Sequence, residues 1–324
     1  MGNLRTVEED IKNPEIRQVL DQMDPRGGSA PFSVEEKRKA YLAGVSRAGT
    51  PEPVASIQDR TIPGPGGDLK IRIYRPDAEG ELPVILYLHG GGFFSGDLNT
   101  HDPVCRFLAN HVPAVVVGVD YRLAPEHTYP AAPQDCYAAL RWLASSASTV
   151  GGDPSRLIVV GDSAGGNLAA VVALMARDSG GPALTAQVLI YPMTDATFAF
   201  DSQVENGLIP PFTLIDCVYA WQLYLPHTVD RRHPYISPVM APSLAGVAPA
   251  LILTAEFDIL ADEGEAYADR LRDSGVQADH EAFPGMVHGF FQWTAVAAGA
   301  RLAMSRVVHY LRAKTESAAS VSRG

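Results

Sequence analysis

Four apolar residues, Leu157-Ile158-Val159-Val160, run directly into Gly161-Asp162-Ser163-Ala164-Gly165 and then into an Ala/Leu/Val-rich stretch. A buried strand that breaks into a helix within one or two residues needs small side chains on both sides of the bend, and the residue at its tip is pushed out toward solvent. The pattern therefore places the Ser163 hydroxyl at a strand-to-helix turn, in front of a helix expected from about Asn167 to Arg177. The positive end of that helix faces any negative charge developing beside Ser163. A glycine-rich turn of this kind also occurs for purely structural reasons, so the reading depends on partners elsewhere in the chain.

The turn implies a fold class. Val84 to Leu88, Ala114 to Val119, Leu157 to Val160, Ala186 to Tyr191, Ala250 to Thr254 and Ala278 to Phe283 are short apolar or β-branched runs. They alternate with helical patterns such as Asp135 to Ser145 and Ala261 to Ser274, so the core is expected to be an α/β structure with a central, mostly parallel sheet flanked by helices. Ile57 to Ile62 and Leu69 to Tyr74, separated by Pro63-Gly64-Pro65-Gly66-Gly67, read as an antiparallel edge hairpin.

Two regions fall outside this rhythm. Within about the first 50 residues, Ile16, Val19, Leu20 and Met23 can share a helical face, and Ser33 with Glu36 forms a capping-box pattern. Thr194 to Pro238 mixes aromatic residues with Pro210, Pro211 and Pro226. A single catalytic domain over 1–324 with helical cap elements at about 1–50 and 195–238 is the simplest organisation for a chain of 324 residues.

Loops at the carboxyl ends of parallel strands meet on one rim of the sheet. Asp258 follows the strand 250–254, and His288, in Pro284-Gly285-Met286-Val287-His288-Gly289-Phe290, follows the strand 278–283. Ser163, Asp258 and His288 can thus meet as a nucleophile, an orienting carboxylate and a general base. Glu256 and Asp262 are competing carboxylates, with Asp262 reading as an early residue of the next helix. His89-Gly90-Gly91-Gly92 follows the strand 84–88, and its glycines expose backbone N–H groups without side-chain interference. Gly91, Gly92 and Ala164 are the expected oxyanion donors, with His89 bracing the loop. Phe93, Phe94, Leu208, Ile209, Phe212, Val287 and Phe290 offer apolar material for an acyl pocket. Arg122 and Glu126 are expected to pair beneath the oxyanion loop, and Asp162 to support local backbone geometry.

Charge and composition exclude other classes. Lys and Arg total 26 against 37 Asp and Glu, a net charge of -11 without a basic cluster, which disfavours nucleic acid and anionic membranes. No run of about 20 apolar residues appears, and Met1 to Asp21 lacks the apolar centre of a secretory signal, so a cytoplasmic protein without stable membrane insertion is expected. Cys105, Cys136 and Cys217 are too scattered for a disulfide framework or a metal site, and read as buried thiols.

Together, His89-Gly90-Gly91-Gly92-Phe93, Asp120-Tyr121-Arg122-Leu123-Ala124-Pro125-Glu126, Gly161-Asp162-Ser163-Ala164-Gly165-Gly166, Glu256-Phe257-Asp258 and His288-Gly289-Phe290 resemble the hormone-sensitive lipase-like microbial carboxylesterases, within the α/β-hydrolases. The resemblance spans roughly residues 55 to 310. It implies a triad of Ser163, Asp258 and His288, an oxyanion hole of Gly91, Gly92 and Ala164, hydrolysis of short- to medium-chain acyl esters of small molecules, and no metal or organic cofactor. A helical N-terminal cap and a homodimer enter by resemblance alone. Amide or carbamate hydrolysis could use the same residues, and small-molecule binding without turnover is the non-enzymatic alternative.

Overall fold

The computed structural model describes residues 4–23 and 33–321, the side chains of 317–321 excepted; residues 24–32 of the expected N-terminal helical region lie outside the described residues. Eight strands form one sheet: β1 (Ser56–Gly64), β2 (Gly67–Arg75), β3 (Leu82–Leu88), β4 (Val115–Asp120), β5 (Gly152–Asp162), β6 (Ala186–Ile190), β7 (Ala250–Phe257) and β8 (Ala278–Val287). Their spatial order is β1-β2-β4-β3-β5-β6-β7-β8. The β1–β2 pair is an antiparallel edge hairpin closing at Gly64 opposite Gly67, β2 runs antiparallel to β4, and every later pairing is parallel.

Parallel neighbours require crossover connections, and these supply the helices that cover both faces. The helices are α1 (Val7–Asp10), α2 (Pro14–Asp21), α3 (Val34–Ala43), α4 (Asp102–His111), α5 (Ala131–Ser146), α6 (Ala164–Asp178), α7 (Ser202–Glu205), α8 (Leu214–Tyr224), α9 (Ala261–Asp273) and α10 (Ala298–Val321). Core residues of α5, α6, α8 and α9 pack on one face, and those of α2, α4 and α10 on the other. Every residue of β3 and β6 is buried, which explains why their sequences are apolar runs and not alternating patterns. The result is a central, mostly parallel sheet flanked by helices, with a helical cap.

Two further stretches add helices, one ahead of β1 in the chain and one between β6 and β7. N-terminal α2 buries Ile16, Val19 and Leu20, while α3 opens on a capping box in which Ser33 and Glu36 exchange hydrogen bonds. The segment between β6 and β7 carries α7 and α8, and a second capping box, Thr213 with Asp216, starts α8. No helix among the described residues is long and apolar enough to cross a membrane.

Candidate active site

Ser163 sits at the junction of β5 and α6 with φ 55° and ψ −120°, a strained conformation for a residue with a side chain. The flanking glycines make the bend sterically feasible. A Cβ on Gly161 would collide with the Gly165 carbonyl, and one on Gly165 with the Leu88 carbonyl of the adjacent strand. The bend is locked through the backbone: the Ser163 N–H donates to Ile190 O (2.9 Å), and its carbonyl accepts from Asn167 N (3.0 Å) and Met193 N (3.2 Å).

With the backbone so occupied, the hydroxyl is directed at His288. Ser163 Oγ lies 2.9 Å from His288 Nε2, and His288 Nδ1 lies 2.7 Å from Asp258 Oδ2. A carboxylate only accepts, so Nδ1 carries the proton and Nε2 is left to accept from the serine hydroxyl. Asp258 is in turn fixed: its Oδ1 accepts from Leu260 N (3.0 Å) and its carbonyl from Asn206 Nδ2 (2.9 Å). All three residues are buried, at 5% exposure for Ser163, 8% for His288 and 1% for Asp258. Phe212 stacks on the imidazole at 4.6 Å between ring centres, shielding it from solvent. The competing carboxylates do other work: exposed Glu256 accepts from Gly285 N, and Asp262 from Ser202 N.

Gly91 (φ 121°) and Gly92 (φ 61°) form a turn at the carboxyl end of β3, in conformations that favour glycine. Among the described residues none accepts from the N–H of Gly91 or Gly92. Ala164, the first residue of α6, has an N–H with no intrahelical acceptor. The Gly91 carbonyl, by contrast, is pinned by Ser95 N (2.9 Å) and Ser95 Oγ (2.8 Å).

Beneath this loop lies a buried polar cluster that the sequence patterns did not reveal. Asp162, adjacent to Ser163 in the chain, accepts from Gly90 N (3.0 Å) and Tyr87 Oη (2.9 Å) and pairs with His101 Nε2 (3.1 Å). Burial pushes the Asp162 carboxyl pKa up, but the charge and hydrogen bond of His101 and the bond from Tyr87 hold it below the ordinary carboxylate value. Gln292 closes the cluster by donating to Asp162 (3.2 Å) and Tyr41 Oη (3.2 Å). A single carboxylate therefore ties the glycine loop to the serine turn. Nothing in the spacing of Thr100-His101-Asp102 marks His101 as its partner. His89 braces the same loop: its Nδ1–H donates to Gly90 O (2.8 Å), and its ring stacks on Tyr121 at 4.2 Å. Burial, with the neighbouring His101 charge, lowers the His89 pKa to about 4.

The expected Arg122–Glu126 pair does not form. Arg122 turns back onto α5 and grips buried Asp135 with both Nε and Nη2 (2.8 Å each). Glu126 faces the cap and binds Arg38 of α3 (2.7 Å). Arg38 also donates to Phe94 O (2.7 Å) and Ala124 O (3.0 Å), so a cap residue clamps the loop that follows Gly92.

Above Ser163 is a cavity of about 520 Å³ bounded by α3, the 3-10 turn Gly44–Ala48, the glycine loop and the His288 loop. Of the apolar residues expected to form an acyl pocket, Phe94 and Phe212 line it. Phe93, Ile209, Val287 and Phe290 are instead buried in the cores; Phe93 stacks on Tyr224 at 3.9 Å, and Leu208 is 60% exposed. An apolar side chain near a catalytic motif in sequence is as readily turned into the core as toward the ligand, because alternate residues point to opposite sides. The lining residues Lys37, Tyr41 and Arg47 come from the N-terminal helical region and carry no local signal, and Met23, expected only on an apolar helical face, lines the cavity too. Cys105, Cys136 and Cys217 are buried free thiols, and no group of three or more potential metal ligands occurs among the described residues.

Comparison with known proteins places this geometry. Residues 85–292 match a family described as having the alpha/beta hydrolase fold. The chain is 45% identical over 261 residues to carboxylesterase NlhH of Mycobacterium tuberculosis, covering 78% of this chain and 81% of that protein. It is 36% identical to an ethyl acetate hydrolase of Pseudomonas putida, covering 86% and 87% of the two chains. Among solved structures, the esterase of Pyrobaculum calidifontis superposes with a TM-score of 0.86 at 41% identity, covering 93% of this chain and 98% of that one.

Proposed function

On the premise that this chain belongs to the alpha/beta hydrolase fold family and is a serine-dependent carboxylesterase with a Ser-His-Asp triad, we propose that Ser163, His288 and Asp258 are that triad and that Gly91, Gly92 and Ala164 form its oxyanion hole. The observation that carries the assignment is the continuous hydrogen-bonded line from Ser163 Oγ through His288 (2.9 Å) to Asp258 (2.7 Å). Each step follows from that line. His288 Nε2 takes the hydroxyl proton as Oγ attacks the ester carbonyl, and Asp258 stabilises the imidazolium that forms. The carbonyl oxygen becomes an oxyanion facing the N–H groups of Gly91, Gly92 and Ala164, each worth about 3 kcal/mol in the transition state. Collapse releases the alcohol with the proton from His288 and leaves an acyl group on Ser163. Water, deprotonated by His288, attacks the acyl carbon, and a second collapse returns the carboxylic acid and free Ser163.

The preferred substrates in this reading are short- to medium-chain acyl esters. A cavity of about 520 Å³ with Phe94 and Phe212 in its wall supports a ligand of modest size. The ethyl acetate hydrolase likeness supports the short end of that range. The proposal extends to one catalytic domain over 1–324 with cap elements at about 1–50 and 195–238. It includes a cytoplasmic location, supported by three unpaired buried thiols, and a homodimer, supported by the position of β8 as an edge strand of the sheet formed by the described residues.

Pre-steady-state alcohol release from p-nitrophenyl esters of two to sixteen acyl carbons tests the assignment. A burst or rapid turnover concentrated at short and middle lengths, abolished by Ser163→Ala, is the expected result. Release that survives the substitution would overturn it.

A further inference from the structure

Among the described residues, α3 and the turn after it bring several charged groups to the chamber, and Arg47 differs from the rest. Lys37 binds Asp216 at 2.8 Å, and Arg38 binds Glu126 at 2.7 Å. Exposed Glu36 is folded onto its own helix cap through Ser33 N and Oγ, each at 2.8 Å. Arg47 is different. Its side chain lines the same cavity as Ser163 and His288, yet among the described residues no carboxylate oxygen lies within 4.0 Å of its guanidinium and no hydrogen-bond acceptor engages it.

Its position is well defined. The turn Gly44–Ala48 is stitched to the segment just after the His288 loop: Ala295 N donates to Arg47 O (3.1 Å), and Thr294 Oγ1 to Ala48 O (3.0 Å). The backbone that carries Arg47 along the chamber wall is therefore anchored to the segment that follows the His288 loop. The guanidinium is half-buried, and burial alone lowers its pKa from the ordinary arginine value. A cation that has lost part of its hydration without gaining a counter-charge gains most from an anion brought by the ligand, and a planar guanidinium suits a carboxylate through two parallel hydrogen bonds.

Resting on the reading of Ser163 as nucleophile, we infer that this chamber takes esters bearing a carboxylate remote from the scissile carbonyl, with Arg47 as the subsite that receives it. Half-esters of dicarboxylic acids present the anion on the acyl side. Their reaction gives an alcohol, which leaves with the His288 proton, and a Ser163-bound acyl chain still carrying its carboxylate; water then releases the dicarboxylate and a proton. Acyl esters of hydroxy acids present the anion on the alcohol side, and there the hydroxy acid leaves first. The net acidity of the chain, -11, opposes anions at long range, so the preference is local to the subsite.

The test compares monoethyl esters from succinate to suberate with neutral ethyl esters of the same carbon spacing, and 6-acetoxyhexanoate with hexyl acetate, at fixed ionic strength in a pH-stat. The readout is the ratio of kcat/KM for the charged ester to that for its neutral counterpart. The inference expects that ratio to fall at least tenfold in Arg47→Met relative to the parent at one spacing or more, with Arg47→Lys intermediate and raised salt narrowing the difference. A fall in the half-ester series assigns Arg47 to the acyl side, and one in the acetoxy series to the alcohol side. Equal ratios in parent and Arg47→Met across both series would overturn the subsite while leaving neutral ester hydrolysis intact. Failure of the underlying reading looks different: neutral esters would be hydrolysed equally by the parent and Ser163→Ala, or by neither.

Discussion

The sheet side and the cap side of the chamber are held by different kinds of contact. On the sheet side, Ser163, Asp258, His288 and Asp162 are nearly inaccessible, and each is fixed by hydrogen bonds to groups on neighbouring strands or loops. On the cap side, α3 reaches the body through Arg38, whose partner Glu126 is half-exposed, and reaches the other cap segment through Lys37 with Asp216. Buried polar networks tolerate little displacement because an orphaned partner bears its full desolvation cost, whereas exposed ion pairs contribute little and are readily replaced by water. On the proposed assignment, the reacting groups thus sit on the rigid side, and the proposed Arg47 subsite on the side that can vary at low cost.

The sharpest way to break that contrast is on the sheet side. Asp258→Asn is expected to lower kcat on the order of 10⁴-fold, since an amide at that position leaves His288 in the wrong tautomer. Glu256→Gln, at an exposed carboxylate two residues away, is expected to change kcat less than twofold. Steady-state kinetics on p-nitrophenyl butyrate check both, and equal losses would return the orienting role to Glu256.

Asp162→Asn should come next. It weakens the tie between Gly90 and the serine turn and leaves His101 without its carboxylate, so kcat is expected to fall about 10- to 100-fold with KM nearly steady. Stability should drop by about 3 kcal/mol or more, the usual cost of breaking a buried pair. A rise in KM at constant kcat would show that this cluster orders the cap and not the oxyanion loop.

A pH effect of intermediate size separates the regions further. The folded-state pKa of His89 is lowered to about 4 from its usual 6.5, by burial first and by His101 second. The unfolded chain therefore binds the proton more readily. The stabilisation is fully present above pH 6.5 and is lost as pH falls toward 4, a difference of order a few kcal/mol. Urea denaturation across that window should show the decline, and His89→Gln should flatten it.

The smallest expected effect is on the cap. Arg38→Ala removes a partly exposed ion pair and two bonds to backbone carbonyls, so a loss of about 1 kcal/mol in stability is expected. KM should rise a few-fold, because the Phe94 segment of the chamber wall loses its clamp, while kcat stays within about twofold. A loss of kcat matching that of Asp162→Asn would erase the distinction between the two sides.

Much of the sheet side is legible in the sequence. Buried parallel strands leave long apolar runs, and tight turns at their ends demand glycine, so the positions of Ser163, Asp258 and His288 could be read from where such runs stop. The cap was legible only as local structure. The Ser33–Glu36 capping box announces α3, but nothing in the chain announces that the next turn of that helix carries Arg38 to Glu126, 88 positions away. The Arg122–Glu126 pair was expected because the residues are near in sequence, and it failed because Asp135 on α5 offers Arg122 two buried acceptor oxygens.

Sequence alone determined the sheet, the serine turn, the glycine loop and the order in which three distant side chains reach one rim. Those features rest on backbone periodicity and steric demands that act over a few residues. Tertiary structure alone decided which of the nearby phenylalanines line the chamber, that Asp162 binds His101 and Gly90, and that Arg47 lines the chamber with no counter-charge among the described residues. Such outcomes depend on the direction of a side chain and on what another part of the chain brings to meet it, and neither is encoded in local pattern.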